Sequence, residues 1–226
     1  MKKRQITIEE FLSYTPIKPG VVHIHQGLVY KHAPNSLEIA NAINDAKADP
    51  VFKYITVPKS VLFLDDIYFG YTTKFQSNLH IVEDAEYLGI ITDINEYIWK
   101  LIQIIEKLNK LNMCYWDFHR NNIYSDNKGN PFILDIDDIR VNPTDLHLYH
   151  QIKYLTEYLL NLYLGQEKTI IHLLKNDDFR THISKGTIAY LESLIKRTGT
   201  TIEFPHKVID ELSNPYKREL IKSKIK

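Results

Sequence analysis

Apolar positions fall in short runs broken by turn residues up to about residue 77, and beyond it they recur at helical spacing. The chain therefore reads as a β-rich segment, 1–77, followed by a mainly helical one, 78–226. Thr7 with Glu10 before Phe11 and Leu12 has capping-box form, so a short helix is predicted to end before Pro16. Val21, Val22 and Ile24, then His25-Gln26-Gly27, then Leu28, Val29 and Tyr30 predict a hairpin with Lys31 at its end. A helix from Asn35 to Ala48 follows, with Ile39, Ile43 and Ala46 on one face and Asp49-Pro50 as its stop. Ser60 to Leu64 and Ile67 to Phe75 flank Asp65-Asp66 as a second hairpin. The first segment is thus a small antiparallel sheet carrying one helix, and the fold class is α+β.

In the second segment, Asp93 and Glu96 cap a helix whose apolar face is Ile94, Ile98, Leu101, Ile105, Leu108 and Leu111. Another long helix runs from Asp145 to Leu164, with Leu148, Ile152, Leu155, Leu159 and Leu162 on one face and Gly165 at its C-cap. Shorter helices are predicted near 168–175, 186–197 and, after Pro205, 206–212. The basic tail from Lys217 to Lys226 reads as a solvated helix end.

Composition narrows the function classes. With 28 Lys+Arg against 28 Asp+Glu there is no overall charge for wrapping nucleic acid or lying on anionic lipid, so neither is expected as a partner. One cysteine, Cys114, forbids an intramolecular disulfide and a multi-thiolate zinc site, and it reads as packed. The N-terminal MKKRQITIEEF lacks the apolar core of a secretory signal, and no run approaches membrane-spanning length, so a cytoplasmic location is expected. His23 and His25 alternate onto one strand face without a third metal ligand nearby and read as exposed hairpin residues.

The informative stretch is MCYWDFHRNNIYSDNKGNPFILDIDDIR, residues 113–140. Asn122 to Tyr124 and Phe132 to Leu134 flank a turn over Asp126 to Asn130, a third hairpin. Centred near residue 128 or 129, that turn sets Asn122 nearly opposite Asp135. An amide oxygen beside a carboxylate suits Mg²⁺, which takes one or two protein carboxylates plus phosphate and water oxygens. Asp117 follows the long helix on a short loop and overlooks the same hairpin. Asp137 and Asp138 read as turn or capping residues that could tune the site, and are not placed among its members.

Asp117, Asn122 and Asp135 resemble the D-x-x-x-x-N catalytic loop and DFG-type aspartate of the protein-kinase-like fold. The run Tyr115-Trp116-Asp117-Phe118-His119-Arg120-Asn121-Asn122 is similar to the H-G-D-L-H-P-G-N of the aminoglycoside and choline phosphotransferase branch. Asn142-Pro143-Thr144-Asp145-Leu146 resembles that branch's D-P-x-x-D-L element. The resemblance implies a two-lobed fold and an ATP-dependent, Mg²⁺-assisted transfer of a phosphoryl group to a hydroxyl of a small molecule. It makes Asp117 the catalytic base, Asn122 and Asp135 the metal ligands, and Lys31 the contact to the nucleotide's phosphates. The backbone around Tyr71, Thr72, Thr73 and Phe75 would meet the adenine. Glu38 either pairs with Lys31 or caps its own helix, and Asp45 is a substitute partner.

Departures from the pattern leave alternatives open. No G-x-G-x-x-G loop is present, Lys18-Pro19-Gly20 and Gly27 being the nearest phosphate-covering turns. Trp116 stands where activation-loop-regulated kinases carry an arginine, and the segment between Asp135 and Asp145 is too short for a peptide platform. An atypical protein kinase, or a nucleotide-binding pseudokinase without chemistry, are the other readings.

Overall fold

The computed structural model describes residues 1–197 and 203–225; Lys226, the end of the basic tail, lies outside the described residues. It is α+β, with a mixed six-stranded sheet and ten α-helices among the described residues. The chain divides into two compact units, Met1–Tyr115 with Arg120–Asn142, and Trp116–His119 with the chain from Pro143 on. The boundary expected at residue 77 therefore falls inside the first unit, because the long helix after Asp93 and the 122–135 hairpin belong with the sheet.

The first unit opens with β1 (Lys2–Gln5), α1 (Ile8–Ser13), β2 (Thr15–Lys18), β3 (Val22–His25) and β4 (Leu28–His32). After α2 (Leu37–Ala46) and a 3-10 turn (Pro50–Tyr54) come β5 (Pro58–Leu64) and β6 (Ile67–Lys74). Their order across the sheet is β1-β5-β6-β4-β3-β2. β1 runs parallel to β5, which makes the sheet mixed rather than antiparallel. A four-residue strand of mostly exposed polar side chains, KKRQ, has no apolar alternation by which the sequence could announce it.

Turn chemistry sets the registers. Gln26 and Gly27 both have positive φ (49° and 73°) and pair His25 with Leu28, the two-residue turn whose twist matches the strands it joins. Asp65 and Asp66 (49° and 64°) do the same between Leu64 and Ile67. Thr7 caps α1 by accepting the Glu10 N–H at 3.0 Å. Helix α1 closes one face of the sheet with Ile6, Phe11, Tyr14, Tyr30, Leu62 and Phe69. Arg4 ties that face together by donating to the Tyr30 hydroxyl and pairing with Glu10 at 2.7 Å.

His23, expected to be exposed, is buried in this layer. It lies 4.3 Å from the Phe11 ring and bonds the Tyr14 carbonyl at 3.1 Å, while His25 stacks on Tyr14. The reason is the docking of α1 on this face, which sets the Phe11 ring and the Tyr14 carbonyl against His23.

The rest of the unit comprises β7 (Leu79–Ile81), α3 (Val82–Tyr87), α4 (Ile94–Lys110), β8 (Met113–Tyr115), β9 (Ile123–Asp126), β10 (Pro131–Ile133) and β11 (Ile139–Val141). α4 is the predicted core helix: Asp93 accepts the Asn95 N–H at 2.8 Å, and Ile98, Leu101, Ile105 and Leu108 are fully buried. β9 and β10 form the third predicted hairpin, with β7 added at its edge. β11 folds back on β8, pairing Arg140 with Cys114. Cys114 is completely buried, and burial pushes its thiol up to about 12 despite the opposing charge of Arg140.

The second unit holds α5 (Asp145–Leu164), α6 (Ile170–Leu174), α7 (Asp177–His182), α8 (Lys185–Lys196), α9 (His206–Leu212) and α10 (Pro215–Lys224). Thr144 and His147 cap α5, and Gly165 ends it in the left-handed region at φ 64°. Ile152, Leu155 and Leu159 are buried as predicted, whereas Tyr163 and Leu160 carry the face that Leu148 and Leu162 only half share. No described helix is long and apolar enough to cross a membrane.

Gly70 of β6 is the tightest point of the sheet. A Cβ there would lie 1.9 Å from the Lys31 carbonyl oxygen and 2.9 Å from the Ala33 nitrogen, both backbone atoms that cannot step aside. Gly70→Ala is expected to lower the unfolding free energy by about 3 kcal/mol or more, read by denaturant titration. A loss below about 1 kcal/mol would show that β4 and β6 are not packed this closely.

Candidate active site

Lys31 lies on β4 directly opposite Tyr71 on β6. Residues opposite one another on antiparallel strands project to the same face, so the amine and the phenol emerge side by side. Alternation along β4 turns Tyr30 toward α1 and Lys31 toward the other face. There Lys31 meets a loop far away in sequence. Its Nζ stands 2.6 Å from Asp135 Oδ2 and 2.7 Å from Asp137 Oδ2. Tyr71 donates its hydroxyl hydrogen to Asp137 Oδ1 at 2.7 Å.

The loop is shaped for this. Ile133 pairs with Ile123, and Leu134 N–H donates to the Asn122 carbonyl at 2.9 Å, so the β9–β10 ladder runs out at Asn122 and Leu134. Asp135 is therefore one position past the residue opposite Asn122, a one-residue offset from the predicted register. The cause is the turn: Asp126 Oδ1 accepts the N–H groups of Lys128 and Asn130 at 2.9 and 2.8 Å, and Gly129 takes φ 72°. Once free of the ladder the chain turns on itself, as Asp137 N–H donates to Asp135 Oδ1 at 3.1 Å. Arg140 holds the far side by donating to the Asp137 carbonyl at 3.0 Å. Two carboxylates two positions apart thus converge on one ammonium.

The side chains keep only 15% of the exposure of Lys31 and 29% of that of each aspartate. Burial is the largest single influence on Lys31 and works against its charge. The Asp135 and Asp137 carboxylates and their hydrogen bonds outweigh it, so its pKa is raised above the ordinary lysine value. Burial, then the charges of Asp137 and Asp135, hold the Tyr71 phenol well above the usual tyrosine range, and it stays a proton donor. Asn122, 7% exposed, sits at the base of the same loop.

The remaining predicted residues divide as follows. Glu38, on the first turn of α2, is exposed, and the described ion pairs of Lys31 are those with Asp135 and Asp137. The Lys31–Glu38 pairing is therefore not formed. Nor does Glu38 take part in a capping box, since α2 begins after Ser36, which makes no side-chain cap. Asp45 is exposed and accepts a bond from Asn44. The backbone of Tyr71, Thr72 and Thr73 does not present itself to a ligand. β6 has β4 on one side and β5 on the other through these residues, and a strand with two neighbours spends its N–H and C=O groups on them. Thr72 is buried against Ser60 at 2.6 Å, Thr73 is buried, and Phe75, 41% exposed, donates its N–H to the Gly27 carbonyl. In the turn after Lys18, the Gly20 N–H is taken by His23 Nε2 at 3.2 Å.

Asp117 belongs to the second unit. Trp116 and Phe118 anchor its loop there, the first 5.1 Å from the His147 ring and the second 6.4 Å from Tyr158. The Asp117 carboxylate, 37% exposed, lies 3.1 Å from His119 Nε2. A half-exposed carboxylate beside an imidazole can accept or orient a proton.

Asp137 was the residue missed. An acidic residue in a turn is ordinarily solvated, and only its i, i+2 spacing from Asp135 just past a strand end hinted at convergence. The sequence matches no protein-family model and no curated protein.

Because the raised pKa of Lys31 reflects a charge favoured by folding, the stabilisation is complete at neutral pH. It fades as pH climbs past the ordinary lysine value of about 10.4. Lys31→Met is expected to cost about 1–3 kcal/mol of unfolding free energy at pH 7, and the gap to wild type should close above that value. Equal stability at pH 7, by denaturant titration, would mean the three charges are not bound together.

Proposed function

We propose that the protein transfers a phosphoryl group from ATP to a hydroxyl of a small molecule. The observation that carries this reading is the Lys31–Asp135 ion pair, formed across 104 positions of sequence. The phosphotransferase resemblance assigns one of these residues to the nucleotide's phosphates and the other to the metal, and such a pairing is what those two tasks require. If the added edge strand β1 is set aside, Lys31 lies on the third strand with α2 following it, the order of elements in the smaller lobe of the protein-kinase-like fold.

The donor set suits Mg²⁺. Asp135 and Asn122 offer a carboxylate and an amide oxygen, and the carboxylate pair at 135 and 137 already gathers a positive charge. Among the described residues no group of three or more His, Cys, Asp or Glu is disposed to hold a metal. The ion would therefore complete its shell with phosphate and water oxygens, as Mg²⁺ commonly does. When bound it would neutralise the charge of the phosphates. The chain's own part is positional: Lys31 meets phosphate oxygens, and Asp117 takes or orients the acceptor's hydroxyl proton.

The turn after Lys18 favours a second reading. With Gly20 N–H spent on His23 and no glycine-rich loop, the phosphate grip is thin, as in a nucleotide-binding module without transfer.

With Mg²⁺·ATP and a panel of sugars, polyols, aminoalcohols and hydroxyl-bearing antibiotics, ADP release is expected to depend on both metal and acceptor. Asp117→Ala should lower turnover by about 10²–10⁴-fold while leaving ATP binding intact. Turnover equal in wild type and Asp117→Ala would remove the base. Saturable ATP binding with no transfer to any acceptor or to water would select the second reading.

A further inference from the structure

We propose that Asp137, steadied by the hydroxyl of Tyr71, is the residue that positions Lys31 for a nucleotide's phosphates. In the protein-kinase-like fold that task belongs to a glutamate on the helix following the lysine strand. The proposal rests on the phosphotransferase reading and adds a residue to its site.

The geometry is a closed triangle. Lys31 and Tyr71 are register partners on adjacent strands, so the spacing between amine and phenol is set by the ladder. Asp137 spans them, with Oδ2 2.7 Å from Lys31 Nζ and Oδ1 accepting the Tyr71 hydroxyl at 2.7 Å. Both oxygens of this carboxylate are thereby directed, whereas a carboxylate held by the lysine alone could rotate. Tyr71 is only 3% exposed, and its ring is fixed within the central strand of the sheet. An orienting shell of this kind, one hydrogen bond behind the group that touches the ligand, is how sites hold a charge in place.

As a metal ligand Asp135 would share its oxygens with the cation, whereas Asp137 is left to the ammonium. An ammonium has three donors, and two carboxylates use two of them, so one remains for a phosphate oxygen.

The acids of α2 offer no competing explanation. Glu38 and Asp45 are both exposed, and neither pairs with Lys31. Sheet and loop supply every contact of the triangle, and both lie in one compact unit. The poise of Lys31 consequently does not depend on where α2 stands.

The test is equilibrium binding of Mg²⁺·ATP to the full chain, with thermal unfolding as the folding control. Lys31→Met should weaken binding severely, by more than about tenfold, to a level still measurable at high ATP. Asp137→Asn should weaken it by roughly tenfold, the usual scale for losing an orienting partner. Tyr71→Phe, which keeps the ring, should weaken it by about threefold, one hydrogen bond's worth. Glu38→Gln should bind like wild type.

The decisive comparison is the double variant. In a Lys31→Met background, Asp137→Asn should cause no further loss, because Asp137 acts through Lys31, whereas a merely structural effect would add to it. If Asp137→Asn does not fold, Tyr71→Phe alone and combined with Lys31→Met makes the same comparison.

Unchanged or tighter binding by Asp137→Asn and Tyr71→Phe, alongside a loss in Lys31→Met, would overturn the proposal and leave the phosphotransferase reading standing. So would a loss in Glu38→Gln matching that in Lys31→Met. Absence of saturable Mg²⁺·ATP binding by wild type would defeat the nucleotide reading itself, and the positioning role with it.

Discussion

One ammonium group facing two carboxylates organises the first unit of this protein. Lys31 comes from the fourth strand and Asp135 and Asp137 from a loop more than a hundred residues later, and each aspartate stands within 2.7 Å of the lysine nitrogen. Burial works against the charge of a lysine placed this far from water, and two aspartates this close repel each other; the ion pairs offset both costs. Each group makes the other's presence tenable. The result is a polar focus in which the two described ion pairs use two of the ammonium's three donors, leaving one direction for the phosphate oxygen of the proposed function.

Everything that shapes this focus is backbone geometry. The turn at Gln26-Gly27 fixes which face of β4 carries Lys31, and the close approach at Gly70 lets β6 bring Tyr71 alongside. On the other side, the turn at Asp126 to Asn130 decides where the β9–β10 ladder ends, and hence where the chain is free to curl and aim both carboxylates inward. Loop chemistry supported by rigid strands is the arrangement expected of functional sites in general.

Much of this could be read from the chain itself, and what could not was hidden for identifiable reasons. Two-residue turns and the long apolar face of α4 are strong local signals, so three hairpins and the core helix were legible. Strands β1, β2, β8 and β11 are only three or four residues long; β1, β8 and β11 pair with partners distant in sequence, and β1 and β2 show no buried side at all. His23 was misplaced for another reason: it is buried by Phe11 and Tyr14 at α1, a packing contact that strand alternation alone does not reveal. Within the site, strand-end position and the phosphotransferase resemblance singled out Lys31 and Asp135, which the structure brings together. Asp137 was not singled out, since a turn aspartate announces nothing without the lysine it faces, and Glu38 looked the better partner by its place on a helix. Tyr71 was assigned a backbone role that a doubly paired strand denies it, and it is its side chain that reaches Asp137.

The central claim is that Lys31 stands where a nucleotide's phosphates bind, and an ATP acyl phosphate tests it most directly. Such a reagent delivers its acyl group to an amine lying against the phosphates, and peptide mass analysis locates the acylated lysine. The phosphotransferase reading predicts acylation at Lys31, suppressed by excess ATP and spared in a protein denatured before labelling. Labelling confined to exposed lysines, or acylation of Lys31 that ATP does not compete away, would contradict it.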